Sequence, residues 1–459
     1  MLRSFSSLFR FAFLGAIAMS LAACSTIAYK PRFADTSGPK HIAIFLDGTH
    51  NDEASDTNVK RLHSLVSLQN RPDIATLYVE GVGTSSDVLG MGMGVGFAAR
   101  VKIAYEFILD NHYDPASGDK IYIFGFSRGA YASRALTSLL YNAGLPTWAG
   151  HSNHELADAV YDDVHGLLGD GENTRRDIVA GKLAARGIKA GQPVAVEVLG
   201  LWDSVQALGN PHWGRRLLHK ARLKPIEVDI DIPNQRHGDQ LCNVRHAYQA
   251  LSADDDREWV FTPLLLTRKA LFTQCAAPPD GDYLLDADLN IKPGRLQEVW
   301  FSGAHSDVGG GYGDSAMSGV SLNWMLKQLN GTLFQAAPTV REDWYGSSHD
   351  PDAVIYHEMT RNLGAYVSNA EKHRPEFLGS LCVHPSVLAR RSAISPKFHE
   401  NQLLKLVKPG PVCLVKDDTE NGYANPVRLK ERTDKEKDSQ CLAEIAVEVW
   451  PACKGGPKS

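Results

Sequence analysis

The sequence predicts an α/β fold, a mostly parallel sheet with helices on both faces, and three observations predict it. Strand-like apolar segments alternate with helical ones along most of the chain. One apolar strand, Lys120 to Phe126, runs directly through Ser127 into a small-residue helix start. Two later strand-like runs end in single polar residues, Asp203 and His305, where parallel sheets build their sites. At 459 residues the chain is long enough for one large domain of about 300 residues and an appendage.

The elements follow in order. Residues 1–23 carry Arg3 and Arg10, then the apolar run Phe11 to Ala18, then Leu21-Ala22-Ala23 before Cys24. That is a secretory signal ending in a lipobox, with a core shorter than the roughly 20 apolar residues of a spanning helix. It predicts cleavage before Cys24 and lipid on that residue's thiol and new amino group. Ser25 follows in place of an aspartate, which favours outer-membrane sorting in a Gram-negative cell, on the periplasmic side. Residues 24–39, with two prolines and few apolar positions, read as a tether.

The catalytic domain is assigned to residues 40–332. A strand from Lys40 to Leu46 leads into Asp47-Gly48-Thr49, whose Gly48 and Thr49 N–H groups are candidate oxyanion donors; the alternative is a plain Asp-Gly turn. A second strand covers Ala75 to Val79, and a helix Phe97 to Asn111. The glycine run Gly90 to Gly96 satisfies a loose dinucleotide spacing at Gly94, Gly96 and Ala99. It does not follow its strand immediately and has no Lys-Ser/Thr, so it reads as helix entry, not a nucleotide loop.

Gly125-Phe126-Ser127-Arg128-Gly129 is a nucleophile elbow, a Gly-x-Ser-x-Gly turn in which the glycines avoid collisions with neighbouring backbone. The helix from Gly129 to Asn142 directs its positive end at Ser127, and the Arg128 N–H is a first oxyanion donor. The strand Val194 to Trp202 ends in Asp203, read as the orienting acid. Glu298 to Ala304 ends in His305, read as the base and singled out from 17 histidines by its place after a strand and before Gly309-Gly310-Gly311. Asp307 and Asp314 share that loop; Asp307 is too near His305 in sequence to reach its ring easily and reads as a tie for the loop. The chain order Ser127, Asp203, His305 is that of α/β-hydrolases.

Gly144 to Pro193 and the long excursion between Asp203 and His305 are candidate lids. The second contains a basic stretch with interleaved Trp and Leu, His212 to Lys224, which is either a membrane-facing surface or a solvated helix face. A helix is expected near Val320 to Gln328. Residues 333–459 form a C-terminal extension packing on the catalytic domain, with a charged stretch from Lys416 to Gln440 read as a solvated loop.

A net charge of −5 gives no indication of nucleic acid as a partner. Seven cysteines, less Cys24, leave an even set: Cys242, Cys275, Cys382, Cys413, Cys441 and Cys453. An even set suits an oxidising compartment, their spacing fits no zinc pattern, and their connectivity stays open. His305, Asp307 and Asp314 could on paper hold a metal, but serine chemistry requires neither metal nor cofactor, and none is assigned.

Five segments appear in an order that resembles a known family: Phe-Leu-Asp-Gly-Thr-x-Asn from Phe45, Gly-Phe-Ser-Arg-Gly-Ala from Gly125, Gly-Leu-Trp-Asp-Ser-Val from Gly200, Val-Arg-His-Ala-Tyr-Gln-Ala-Leu-Ser from Val244, and Val-Trp-Phe-Ser-Gly-Ala-His-Ser-Asp-Val-Gly-Gly-Gly-Tyr from Val299. Together they resemble the α/β-hydrolase catalytic domain of type VI secretion phospholipase effectors, the Tle class, from about His41 to Met325, with a fainter echo at Val383 to Val387. The resemblance implies a triad of Ser127, Asp203 and His305 and membrane phospholipid as substrate and surface. Such effectors usually lack a signal like residues 1–23, so a resident envelope lipoprotein is the preferred reading. No immunity or secretion partner is named by the sequence. A carboxylesterase acting on a soluble ester, and a non-enzymatic envelope lipoprotein on a hydrolase scaffold, stay open beside it.

Overall fold

In the computed structural model the described residues are 27–29, 38–48, 56–81, 93–164, 174–205, 240–255, 263–272, 275, 282–286, 291–346, 348–349, 382–384, 386, 412–415 and 427–431. The lipobox, Thr49, the basic stretch from His212 to Lys224, Asn51 and most of the Lys416 to Gln440 stretch lie outside them.

The strands are β1 (Ile27–Tyr29), β2 (His41–Leu46), β3 (Ile74–Val79), β4 (Lys120–Phe126), β5 (Val196–Trp202), β6 (Val244–Ser252), β7 (Leu296–Phe301), β8 (Cys382–Val383), β9 (Val412–Val415) and β10 (Val427–Glu431). Among the described residues they form one sheet in the order β1-β3-β2-β4-β5-β6-β7-β8-β10-β9. Neighbours from β3 through β8 pair in parallel, and the pairs at the two margins are antiparallel. The α/β fold read from the sequence is therefore the fold observed. β1 falls in the stretch read as a tether, and β8 to β10 carry the C-terminal extension into the same sheet.

The helices are α1 (Asn58–Leu68), α2 (Met93–Asp110), α3 (Arg128–Asn142), α4 (Asn153–Val164), α5 (Arg175–Ala185), α6 (His305–Gly309) and α7 (Ala316–Gln328). Two cores flank the sheet because alternate strand residues point to opposite faces. On one face Ile42, Ile44, Ile121, Ile123 and Leu199 meet Val101, Tyr105 and Ile108 of α2, Leu136 and Leu140 of α3, and the helices α4 and α5. On the other, Phe45, Tyr122, Phe124, Val198 and Val299 meet Val59 and Leu62 of α1 and Leu322, Met325 and Leu326 of α7. With both faces covered, the central strands are apolar almost throughout, and β3 is buried at every position. No helix among the described residues is long and apolar enough to cross a membrane.

The insertion from Gly144 to Pro193, read as a lid, supplies α4 and α5. The Arg176 guanidinium donates to the Tyr141 and Gly191 carbonyls, anchoring this pair at the far end of α3, away from Ser127. The excursion between Asp203 and His305, also read as a lid, contains β6, a central strand. Cys242 and Cys275 are bonded to each other across 33 residues, which ties the entry of β6 to the segment that follows Leu271.

The chain leaves β2 for β3 on one side and returns to place β4 on the other, so β2 and β4 diverge at a topological switch point. Ligands of open α/β sheets bind outside the carboxyl ends of strands at such a point. Asp47 and Ser127 are the first residues beyond those two ends.

Gly129 is what lets α3 start there. A Cβ on it would be driven into the carbonyl oxygens of Leu46 and Asp47, the second at 2.5 Å. Gly181, inside α5, has open space around the same position. Gly129→Ala is accordingly expected to destabilise the protein by about 3 kcal/mol, whereas Gly181→Ala should stabilise it by about 0.5–1 kcal/mol. Urea midpoints measured on the two variants check the opposite signs.

Candidate active site

Ser127 occupies the corner between β4 and α3 at φ 57°, ψ −125°, a conformation rare for a residue with a side chain. Its backbone holds the corner in place: its N–H donates to the Trp202 carbonyl at 3.0 Å, and its carbonyl accepts from Val205 N–H at 3.4 Å. A Cβ on Gly125 would lie 2.6 Å from the Ala130 Cα and the Gly129 oxygen, so the turn needs glycine at both flanks. Ser127 precedes the first turn of α3 but makes no side-chain cap bond, which leaves Oγ uncommitted to the helix. Arg128 is the first helical residue, and its N–H belongs to the donors an α-helix leaves without an internal carbonyl.

Asp203, directly beyond β5, also has positive φ, 40°. Its Oδ1 accepts from Ser252 N–H at 3.0 Å, and its Oδ2 lies 2.5 Å from His305 Nδ1. Both side chains are buried, Asp203 fully. The ring of His305 also rests on Phe126, the residue before Ser127, with centroids 4.6 Å apart. Its other nitrogen, Nε2, is buried. The structure thus places Ser127, Asp203 and His305 at the carboxyl ends of β4, β5 and β7, with β6 between the last two.

The acids near His305 divide the work. Asp255 Oδ2 accepts from His305 N–H at 3.1 Å, and Asp254 Oδ2 from Gly303 N–H at 2.6 Å, so the exit of β6 pins the exit of β7. Asp307, read as a tie for the loop, accepts from Ala304 N–H at 2.9 Å and closes the first turn of α6. It also receives His349 N–H at 3.0 Å and faces His349 Nδ1 at 2.6 Å, while Tyr312 stacks on that ring with centroids 4.0 Å apart. Among the described residues no group of acids, cysteines and histidines is arranged to hold a metal ion.

Of the candidate oxyanion donors, Gly48 gives its N–H to Asp47 Oδ1 at 2.7 Å, and Thr49 lies outside the described residues. Asp47 is fully buried; its Oδ2 accepts from Thr57 Oγ1 at 2.5 Å and Tyr78 OH at 2.6 Å. Burial raises its pKa, against the three hydrogen bonds. Thr57 in turn bridges to Gly310, so Asp47 links the exit of β2 to the loop after His305. Sequence reasoning assigns no role to Asp47, Asp254, Asp255, His349 or Arg100. The run of three acids after β6, Asp254-Asp255-Asp256, is a local signal that could have pointed to two of them.

Residues 40–328 match the type VI secretion system family described as phospholipase effector Tle1-like, catalytic domain. A protein of Saccharomyces cerevisiae, "Uncharacterized protein YEL023C", is 25% identical over 304 residues, which are 59% of this chain and 41% of that protein. The chain therefore matches about two fifths of that relative's length. Among solved structures, an uncharacterized protein from Pseudomonas aeruginosa superposes with a TM-score of 0.32 at 17% identity, covering 78% of this chain and 52% of the other. A Tle1 effector bound to the VgrG spike of the type 6 secretion system gives a TM-score of 0.27 at 19% identity, covering 63% of this chain and 57% of that one.

His349 gives the site a pH dependence whose sign follows from its partner. The hydrogen bond with Asp307 raises the His349 pKa above 6.5, against partial burial. A raised folded pKa means that the stability from this pair is fully present below about 6.5 and is lost as pH rises through the raised value. The melting temperature of the wild type should exceed that of His349→Phe at about pH 5.5, and the gap should close at alkaline pH. A gap that is independent of pH would show that packing on Tyr312, not charge, is what His349 contributes.

Proposed function

We propose, from the premise that the chain belongs to the family of type VI secretion system Tle1-like phospholipase effector catalytic domains and is a hydrolase, that it cleaves acyl esters, phospholipid foremost, through Ser127, His305 and Asp203. The observation that most supports this is the 2.5 Å contact between Asp203 Oδ2 and His305 Nδ1, made across 102 residues at the strand ends beside Ser127. A carboxylate on Nδ1 fixes that nitrogen as the donor and leaves Nε2 as the base.

In this reading Ser127 Oγ forms a bond to the ester carbonyl carbon while its proton passes to His305 Nε2. The carbonyl π pair becomes an oxyanion facing the Arg128 N–H and, because the Gly48 N–H is taken by Asp47, a second donor assigned to Thr49. When C=O re-forms, the bond to the alcohol oxygen breaks, and the alcohol, a lysolipid, leaves with the proton from Nε2. Water repeats the sequence on the acyl-serine, releasing the fatty acid and restoring Ser127. The scheme calls on no metal or cofactor.

The same reading makes the chain a lipoprotein, anchored through Cys24 on the periplasmic side of the outer membrane. Its support is the lipobox, and a tether to the bilayer raises the effective concentration of membrane lipid at the serine. A solved family relative is an effector bound to a VgrG spike; here the lipobox favours a resident protein.

Full chain purified in detergent should label with a fluorophosphonate probe and release fatty acid from phospholipid vesicles. Ser127→Ala should lose the label, and Ser127→Ala and His305→Ala should each lower turnover about a thousandfold or more, since nucleophile and base act as a unit. Asp203→Asn should cost more than Asp307→Asn; the reverse order would make Asp307 the orienting acid. Brisk turnover of a short soluble ester with no fatty acid from any vesicle would favour the carboxylesterase.

For the anchor, Cys24→Ser should abolish incorporation of labelled palmitate and release the protein from washed membranes. A wild type that takes up no lipid would remove the envelope assignment while leaving the hydrolase untouched.

A further inference from the structure

Two arginines stand at the switch point, Arg100 reaching it from α2 and Arg128 opening α3, and among the described residues no carboxylate pairs with either. Arg100, on α2, is only 3% exposed, and its Nη1 donates to the Asp47 carbonyl at 3.0 Å. That carbonyl lies against Gly129, in the first turn of α3, so Arg100 reaches the helix start that carries Arg128. Its remaining nitrogens, Nε and Nη2, are buried and have no hydrogen-bond partner. Those two atoms are the side of a guanidinium that offers parallel N–H donors, the fork that receives a carboxylate or phosphate with two bonds.

Arg128 is half-buried, and among the described residues neither guanidinium forms an ion pair. Burial, then the charge of Arg128, hold Arg100 down to about 10, and burial does the same to Arg128. Both remain cations at neutral pH. The neighbouring carboxyl of Asp47 is turned instead to Thr57, Tyr78 and its own Gly48 N–H. A buried, unmatched cation is costly, and two together beside the positive end of a 15-residue helix are costlier still. Such an arrangement is stable when a ligand supplies the anion.

We propose that the Arg100 fork and the Arg128 side chain form a phosphoryl-binding subsite next to Ser127, which reads the phosphate of the lipid whose ester is cleaved. The proposal rests on the serine-hydrolase reading for its placement and goes beyond it by naming the residues that select a phosphate-bearing substrate. A diacylglycerol offers the same esters without the phosphate, so it is the natural control. The subsite sits beyond β2 and β4, on the opposite side of the serine from Asp203 and His305, which keeps the phosphate away from the carboxylates.

The test uses the full chain in nonionic detergent and two substrates with the same acyl chains, phosphatidylglycerol and diacylglycerol, in mixed micelles. The readout is the ratio of kcat/KM for the phosphate-bearing lipid to that for the phosphate-free one. Arg128→Gln and Arg100→Gln should each lower this ratio about tenfold or more, or about 1.4 kcal/mol, whatever loss the two substrates share. Arg128→Lys, which keeps the charge, should retain most of it. A ratio unchanged in both glutamine variants overturns the proposal.

A binding arm separates its failure from that of the hydrolase reading. Inorganic phosphate and glycerol 3-phosphate should raise the melting temperature of the Ser127→Ala chain, and adding Arg128→Gln should remove the rise. If neither lipid nor ester is hydrolysed by the wild type, the serine mechanism fails, and the subsite stands or falls on this protection alone. Protection by inorganic phosphate with an unchanged lipid ratio would assign the subsite to free phosphate and overturn the lipid reading. Absence of protection by either anion, with an unchanged ratio, overturns it altogether.

Discussion

The site depends on one close approach of backbone to backbone, that of the first turn of α3 to the exit of β2. Gly129 lies so near the Leu46 and Asp47 carbonyls that no side chain fits between them. Because the helix starts this close, the chain must turn within Ser127, and the turn holds that residue at positive φ. A residue so placed costs on the order of 1–3 kcal/mol and persists only where its surroundings over-determine it. Here the Trp202 carbonyl and the Val205 N–H do so, and both belong to the strand and loop that carry Asp203. Serine and acid are thus positioned by the same hydrogen bonds.

The histidine is positioned differently, through buried carboxylates. Asp254 and Asp255 follow β6 and accept backbone N–H groups of Gly303 and His305, while Asp307 accepts that of Ala304. A carboxylate that is buried is costly unless its lone pairs are filled, and main-chain N–H groups at a strand exit are donors that would otherwise go unmatched. The arrangement therefore satisfies two sets of groups at once. It fixes the backbone of His305, and Asp203 then fixes the ring.

How much of this is legible in the sequence follows from range along the chain. Ser127 stands out because its strand, its glycines and its helix are contiguous, so one short segment carries the whole geometric argument. Asp203 and His305 are visible as polar residues ending apolar runs, a signal that places a residue at the sheet's carboxyl edge and does not say which neighbours it meets. That is why Asp307 can be read as a loop tie and its partner His349, 42 residues on, cannot. β6 is hidden inside a long excursion that reads as a lid, although its segment from Ala247 to Leu251, apolar but for Gln249, pairs centrally between β5 and β7. The margins escape for another reason: β8 to β10 are short strands whose identity depends on the sheet edge they join. Arg100 carries no signal, being one of two cations, with Lys102, in a largely apolar helix.

The two halves of the site differ in the charged groups they present, and on the β2–β4 side this follows from where Asp47 directs its carboxylate. Had its oxygens turned to Arg100, the pair would have been neutral and the β2–β4 side of the serine would carry less positive charge. They turn instead to Thr57, Tyr78 and the Gly48 N–H, hydrogen bonds that join β2, β3 and α1 into one wall. Arg100 is left with a carbonyl, a dipole and not a charge. On the β5–β7 side the groups near His305 are carboxylates, Asp203, Asp254, Asp255 and Asp307, the last of them also paired with His349. Such a distribution of charged groups would orient a polar substrate before it makes any contact with the serine. On the proposed reading, an ester bearing a phosphate would be turned so that its anion meets the arginines and its leaving oxygen faces His305, the orientation that acyl transfer to Ser127 would require.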